Sequence, residues 1–159
     1  MEFKTCCVTG HRNIPMEKQE TVEARLRREV SLAIEEGYNR FLSGFAEGTD
    51  LLFAAIVAEQ AQRNPGVCLE AAIPYPNRLH AKDGQFQKLI ACCQSVKIVS
   101  DHYFPACFMQ RNRYMVRQSA RVIAVYKILR VSKRRGMPLD SASTTASNSL
   151  PCALCTVTA

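Results

Sequence analysis

The chain has no tryptophan and only seven glycines among its 159 residues, and nowhere do about 18 apolar residues run together, the length needed to cross a membrane. Met1 to Lys4 leads within four residues into an apolar, strand-like run, with none of the charged and apolar regions of an export leader. A soluble, cytoplasmic protein without a membrane partner is the expectation. The phosphate-loop pattern G-x-x-x-x-G-K-[ST], the dinucleotide fingerprint G-x-G-x-x-G and the zinc motif H-E-x-x-H are all missing, which argues against an ATPase, a Rossmann dehydrogenase and a zinc protease. No metal is expected, and no cofactor can be named.

What is present fits one domain with a real core, since 47% of residues are hydrophobic and 22% charged. Eight cysteines would suggest a disulfide scaffold in a short secreted chain. Here Cys6, Cys7, Cys68, Cys92 and Cys93 lie within apolar stretches, where a reduced thiol acts as a small hydrophobe, and core packing is expected of them. Cys152 and Cys155 form a lone C-x-x-C pair without the second pair that a zinc ribbon needs. The net charge of +7 is uneven, because Arg121 to Arg135 hold six basic residues and no acidic one. Such a run is a solvated face or a phosphate-binding patch, so a nucleic-acid partner stays open.

Along the chain, Lys4 to Thr9 is a short apolar run that stops at Gly10, the pattern of a buried strand entering a loop. From Met16 to Glu36, Val22, Leu26, Val30, Ala33 and Ile34 fall on one helical face, and Gly37 ends the helix. Strands are expected at 39–43, 68–73, 96–100 and 121–126, with helices at 51–62, near 85–93 and at 109–119. Strands alternating with amphipathic helices generate right-handed crossovers and a parallel sheet covered on both faces. The expected fold is therefore α/β: a Rossmann-like three-layer sandwich with a mostly parallel central sheet. Residues 1–126 form its core, and 127–159, a basic stretch followed by the Ser, Thr and Ala-rich 141–149 and a last strand near 151–157, form a divergent segment able to complete the same domain.

Ligands of open parallel sheets bind beyond the carboxyl ends of the strands, where three segments fall. In Thr9-Gly10-His11-Arg12, Gly10 permits close backbone approach, Arg12 suits a phosphate or carboxylate, and His11 is a base or a satisfied polar residue. In the segment from Ser43 through Gly44, Glu47, Gly48 and Thr49 to Asp50, glycines leave amides accessible and Thr49 or Asp50 is placed to cap the next helix. Glu47 and Asp50 would repel phosphate yet accept ribose hydroxyls, which favours a nucleoside-like ligand. The third segment, Arg111-Asn112-Arg113, brings two guanidinium groups and an amide toward the same edge.

In order, CCVTGHR, FLSGFAEGTDLLFA, AAIPYPNR and QRNRYMVRQSARVIAVY resemble the YpsA-like branch of the SLOG superfamily, over about residues 4–126. The resemblance implies a Rossmann-like fold and a nucleotide or nucleotide-derived ligand. Gly10, His11 and Arg12 match the first family loop, Ser43 to Asp50 the second, and Arg111 with Asn112 the R-N-x-x-M element. After Tyr126 relatives continue with D-G and a G-G-T segment that opens another helix, where this chain reads Lys127-Ile128-Leu129-Arg130-Val131.

Three functions follow as expectations. The first is a module that binds or senses a nucleotide or ADP-ribose-like molecule, because the loops offer donors without a clear nucleophile and base. The second is N-glycosidic hydrolysis of a nucleoside monophosphate like that of the LOG relatives, with Glu47 as the catalytic carboxylate, although their P-G-G-x-G-T-x-x-E motif is absent. The third is single-stranded DNA binding like that of the DprA relative, through Lys127 to Arg135, Arg113 and Arg117. Self-association into a homo-oligomer is left open.

Overall fold

Hydrophobic periodicity accounts for most of the architecture. The computed structural model describes residues 2–127 and 152–158. The basic positions 130–135 and the Ser and Thr-rich 141–149 lie outside them. In chain order the elements are β1 (Thr5–Gly10), α1 (Met16–Glu35), β2 (Arg40–Ser43), α2 (Thr49–Arg63), β3 (Cys68–Ile73), a 3-10 turn (Pro76–His80), α3 (Gly84–Ala91), β4 (Ser95–Ile98), α4 (Cys107–Arg117), β5 (Arg121–Lys127) and β6 (Cys152–Thr158). The sheet order is β4-β3-β2-β1-β5-β6. Strands β1 to β5 pair in parallel, while β6 runs antiparallel to β5. No helix among the described residues is long and apolar enough to cross a membrane.

Side chains alternate across the central strand, so Cys6 and Val8 enter one core while Cys7 enters another. The larger core joins Phe41, Leu69, Ile73 and Ile123 of the sheet to α1, α2 and α3. Val22, Leu26, Val30 and Ala33 are the buried stripe of α1, the expected face. The opposite core is small, with Cys7, Leu42, Ala72 and Met115 under α4.

A buried polar knot fixes α4 beside that small core. Glu70 pairs with Arg40 at 2.7 Å and accepts hydrogen bonds from Ser95 Oγ at 2.9 Å and Tyr114 Oη at 3.2 Å. A nearly buried carboxylate is tolerated because its lone pairs are occupied.

Two expectations need correction. Cys92 is exposed, not in the core, because it sits at the C-cap of α3 with its thiol donating to the Lys88 carbonyl at 3.3 Å. Neither Thr49 nor Asp50 caps α2, whose N-cap is Gly48 without any side-chain cap. Both side chains are engaged across the loops instead.

Leu26 is fully buried at the centre of the α1 stripe. Leu26→Ala is expected to cost about 2–5 kcal/mol, read as a lower urea midpoint with an unchanged slope.

Candidate functional site

The strand order reverses at β1: the chain steps outward to β4 and then returns past β1 to β5. Loops diverge at such a reversal and leave a crevice beyond the carboxyl ends of the strands. The segments after β1, β2 and β3 and the first turns of α4 all meet there.

Missing side chains let these loops interlock. A Cβ on Gly10 would lie 2.6 Å from Thr49 Oγ1, and the Thr49 hydroxyl instead donates to the His11 carbonyl at 2.9 Å. The Thr49 N–H donates to the same oxygen at 3.2 Å. Gly48 has φ +79° and packs against the Arg12 carbonyl, a backbone approach and a conformation closed to other residues. These contacts join the β1 loop to the start of α2. A Cβ on Gly44 would lie 2.5 Å from Arg111 Nη1 and 2.7 Å from Asp50 Oδ2, so the β2 loop is clamped against α4 in turn.

Arg111 and Asp50 form the clamp. Both are more than nine-tenths buried, with Nη1 and Oδ2 3.9 Å apart. Arg111 also donates to the Gly44 carbonyl and, through Nε, to Asn112 Oδ1 at 3.0 Å. Asp50 accepts from the Ala46 N–H at 3.4 Å, and its own carbonyl accepts from Ser43 Oγ at 2.9 Å. Burial pushes the Asp50 carboxyl up and the Arg111 guanidinium down in pKa, each opposed by the charge of the other.

Phe45 adds a strained element. Its φ of 53° is left-handed, which costs a bulky residue about 1–3 kcal/mol. It is held by edge-to-face packing on Phe86, 5.6 Å between centroids at 84°, and by its N–H donating to Ser43 Oγ at 3.3 Å.

Above the clamp lie two adjoining hollows. One, of about 170 Å³, has Arg12, Arg78, Arg111, Glu47, Tyr75 and Phe108 among its walls. The other, of about 140 Å³, is bounded by Gly10, Asp50 and Asn112 and shares Arg12, Phe108 and Arg111 with the first. The Arg12 guanidinium lies 5.5 Å from the Phe108 ring centroid, and Arg78 lies 5.6 Å from that of Phe86. Tyr75 meets Tyr103 and Phe108 edge-on at 5.3 and 6.1 Å.

Of the residues singled out in the sequence, Gly10, Arg12, Gly44, Glu47, Asp50, Arg111 and Asn112 border these hollows. Gly48 borders a third, which shares Arg12 and Glu47 with the first. His11 is exposed on the β1 loop, and its carbonyl holds Thr49. Ser43 and Thr49 are fully buried struts. Arg78, Tyr75 and Phe108 were not singled out as site residues. Arg78 and Tyr75 follow β3 within PYPNR, a position that the rule about carboxyl ends of strands would have flagged.

Removing one partner of a buried ion pair strands the other charge, so Arg111→Ala is expected to destabilise the fold by about 3–5 kcal/mol. Gly44→Ala, which forces a Cβ into the same pair, is expected to cost more than about 1 kcal/mol. Chemical denaturation of both variants checks the two values.

Comparison with known proteins supplies the rest. The YpsA family model, described as the YspA SLOG family, matches residues 6–157. Curated protein sequences give no match. Among solved structures, DNA processing protein A from Helicobacter pylori, described for its single-stranded DNA binding mode, aligns with a TM-score of 0.51 at 17% identity over 79% of this chain and 55% of that one. The structural-genomics target TM1055 aligns with a TM-score of 0.48 at 16% identity over 77% of this chain and 61% of that one. The chain thus spans between half and two thirds of the length of either structure. With a family match over nearly its whole length, on a sheet that reverses at β1 above interlocked loops, the chain belongs to the YspA SLOG family.

Proposed function

We propose that the crevice binds a nucleotide or a nucleotide-derived molecule of the ADP-ribose kind, and that the protein works as a binding or sensing module. One observation carries this: three arginines and three aromatic side chains, Phe45, Tyr75 and Phe108, line a single hollow. Guanidinium groups pair with phosphate oxygens in a fixed fork, and aromatic rings take the flat face of a base or sugar. Arg111 is committed to Gly44 and Asp50, leaving Arg12 and Arg78 as the phosphate ligands. Each lies over a ring, so little side-chain entropy is lost on binding. The two hollows together reach the lower end of the roughly 300–1,000 Å³ of ligand pockets.

A second reading is favoured by Glu47, an exposed carboxylate on the same hollow as the three arginines. That placement suits protonation of a glycosidic nitrogen or stabilisation of an oxocarbenium ion once the phosphate is held. If so, incubation with nucleoside monophosphates releases free base by chromatography, and Glu47→Gln abolishes the release; equal release by the variant dismisses this role. Single-stranded DNA binding, described for the Helicobacter protein, is the weaker reading. Arg113 and Arg117 are exposed on α4, but the basic positions 130–135 lie outside the described residues.

Calorimetric titration with AMP and ADP-ribose tests the main proposal. Arg78→Ala is expected to weaken binding by about tenfold or more, since a charged hydrogen bond is worth about 1.5–3 kcal/mol, with the melting temperature nearly unchanged. The proposal fails when neither ligand binds and neither raises the melting temperature at high excess.

A further inference from the structure

A larger hollow, of about 440 Å³, adjoins the arginine-lined one and shares Arg12 and Glu47 with it as walls. Both residues are exposed, so the boundary between the two hollows is open to solvent. A ligand seated in the first hollow can therefore continue into the second.

The lining of the second hollow limits what that continuation can be. Its apolar side chains are those of Ile14, Leu51 and Leu52. Two of its carboxylates are already engaged: Glu23 is paired with Arg27 at 2.9 Å, and Asp83 caps α3 by accepting from the Gln85 N–H at 2.8 Å. The groups that remain are the side-chain amides of Asn13, Gln19 and Gln85, with Glu47 on the shared wall. Amides both donate and accept and so suit hydroxyl groups. Apolar side chains suit the carbon face of a ring, and Arg12, shared with the first hollow, is the one cation of this lining, so a second anion has no further partner here.

We propose that this hollow is a second subsite, which takes an uncharged, hydroxylated group joined through phosphate to the part held by Arg12 and Arg78. The inference rests on the nucleotide reading and narrows it to two-part ligands. Arg12, on both walls, faces the linking phosphate.

The test compares ADP with ADP-ribose on the full chain by titration calorimetry. The two share the adenosine and both phosphates, and ADP carries the greater negative charge near neutral pH, so charge alone favours ADP in a basic hollow. A preference for ADP-ribose reads out the added sugar. The expected ratio is at least tenfold in favour of ADP-ribose. In Gln19→Trp or in Gln85→Trp, two exposed positions where an indole would fill the second hollow, the ratio is expected to fall toward one. A wild-type ratio below ten, or a ratio that survives both substitutions, overturns the second subsite while the nucleotide reading stands. Failure of both ligands to bind overturns both.

Discussion

Three places in the crevice admit no Cβ, and the site depends on them. Gly10 gives way to Thr49, Gly44 to Arg111 and Asp50, and Gly48 to the Arg12 carbonyl. In each case the space is filled by the protein itself, not left open for a visitor. The loops at the strand ends are thus held to one another before any ligand arrives, and a cradle set in advance loses less freedom on binding.

Holding the loops has an energetic cost, met nearby. A buried ion pair rarely stabilises a fold by itself, and Phe45 adds backbone strain. The surplus comes from the thick core beneath, where α1, α2 and α3 share one face of the sheet. Among the described residues, the face under α4 has only a small apolar cluster and leans on the Glu70 knot. Apolar packing among these residues is concentrated on one side of the sheet, and the strained, polar machinery sits at its rim.

Much of this was legible in the residues. The stripe through Val22, Leu26, Val30 and Ala33 marks α1 directly, because burial of one helical face leaves a regular trace. The parallel sheet follows from alternation of strand and helix, and that logic already pointed to the loops after β1 and β2. The role of the glycines was not legible, since a local pattern shows that a Cβ is missing and not what fills the space. Gly44 illustrates it: the left-handed backbone falls on Phe45, while the glycine serves only close approach. Arg78 stands where the rule about strand ends points, although its seat over Phe86, a ring on another element, leaves no local trace. The exposed residues of β4 were hidden for a similar reason: an apolar run does not say that its strand lies at the margin of the sheet.

The bond from Arg111 to the Gly44 carbonyl spans 67 positions of chain. During synthesis the β2 loop leaves the ribosome long before the guanidinium that secures it has been made. Early intermediates can assemble β1 to β3 with α1 and α2 from local contacts, whereas closure across to α4 must wait for a long-range encounter. A nascent or truncated chain lacking α4 would thus carry the turns of the crevice without their fastening, and the ability to recognise a ligand would be among the last properties it acquires.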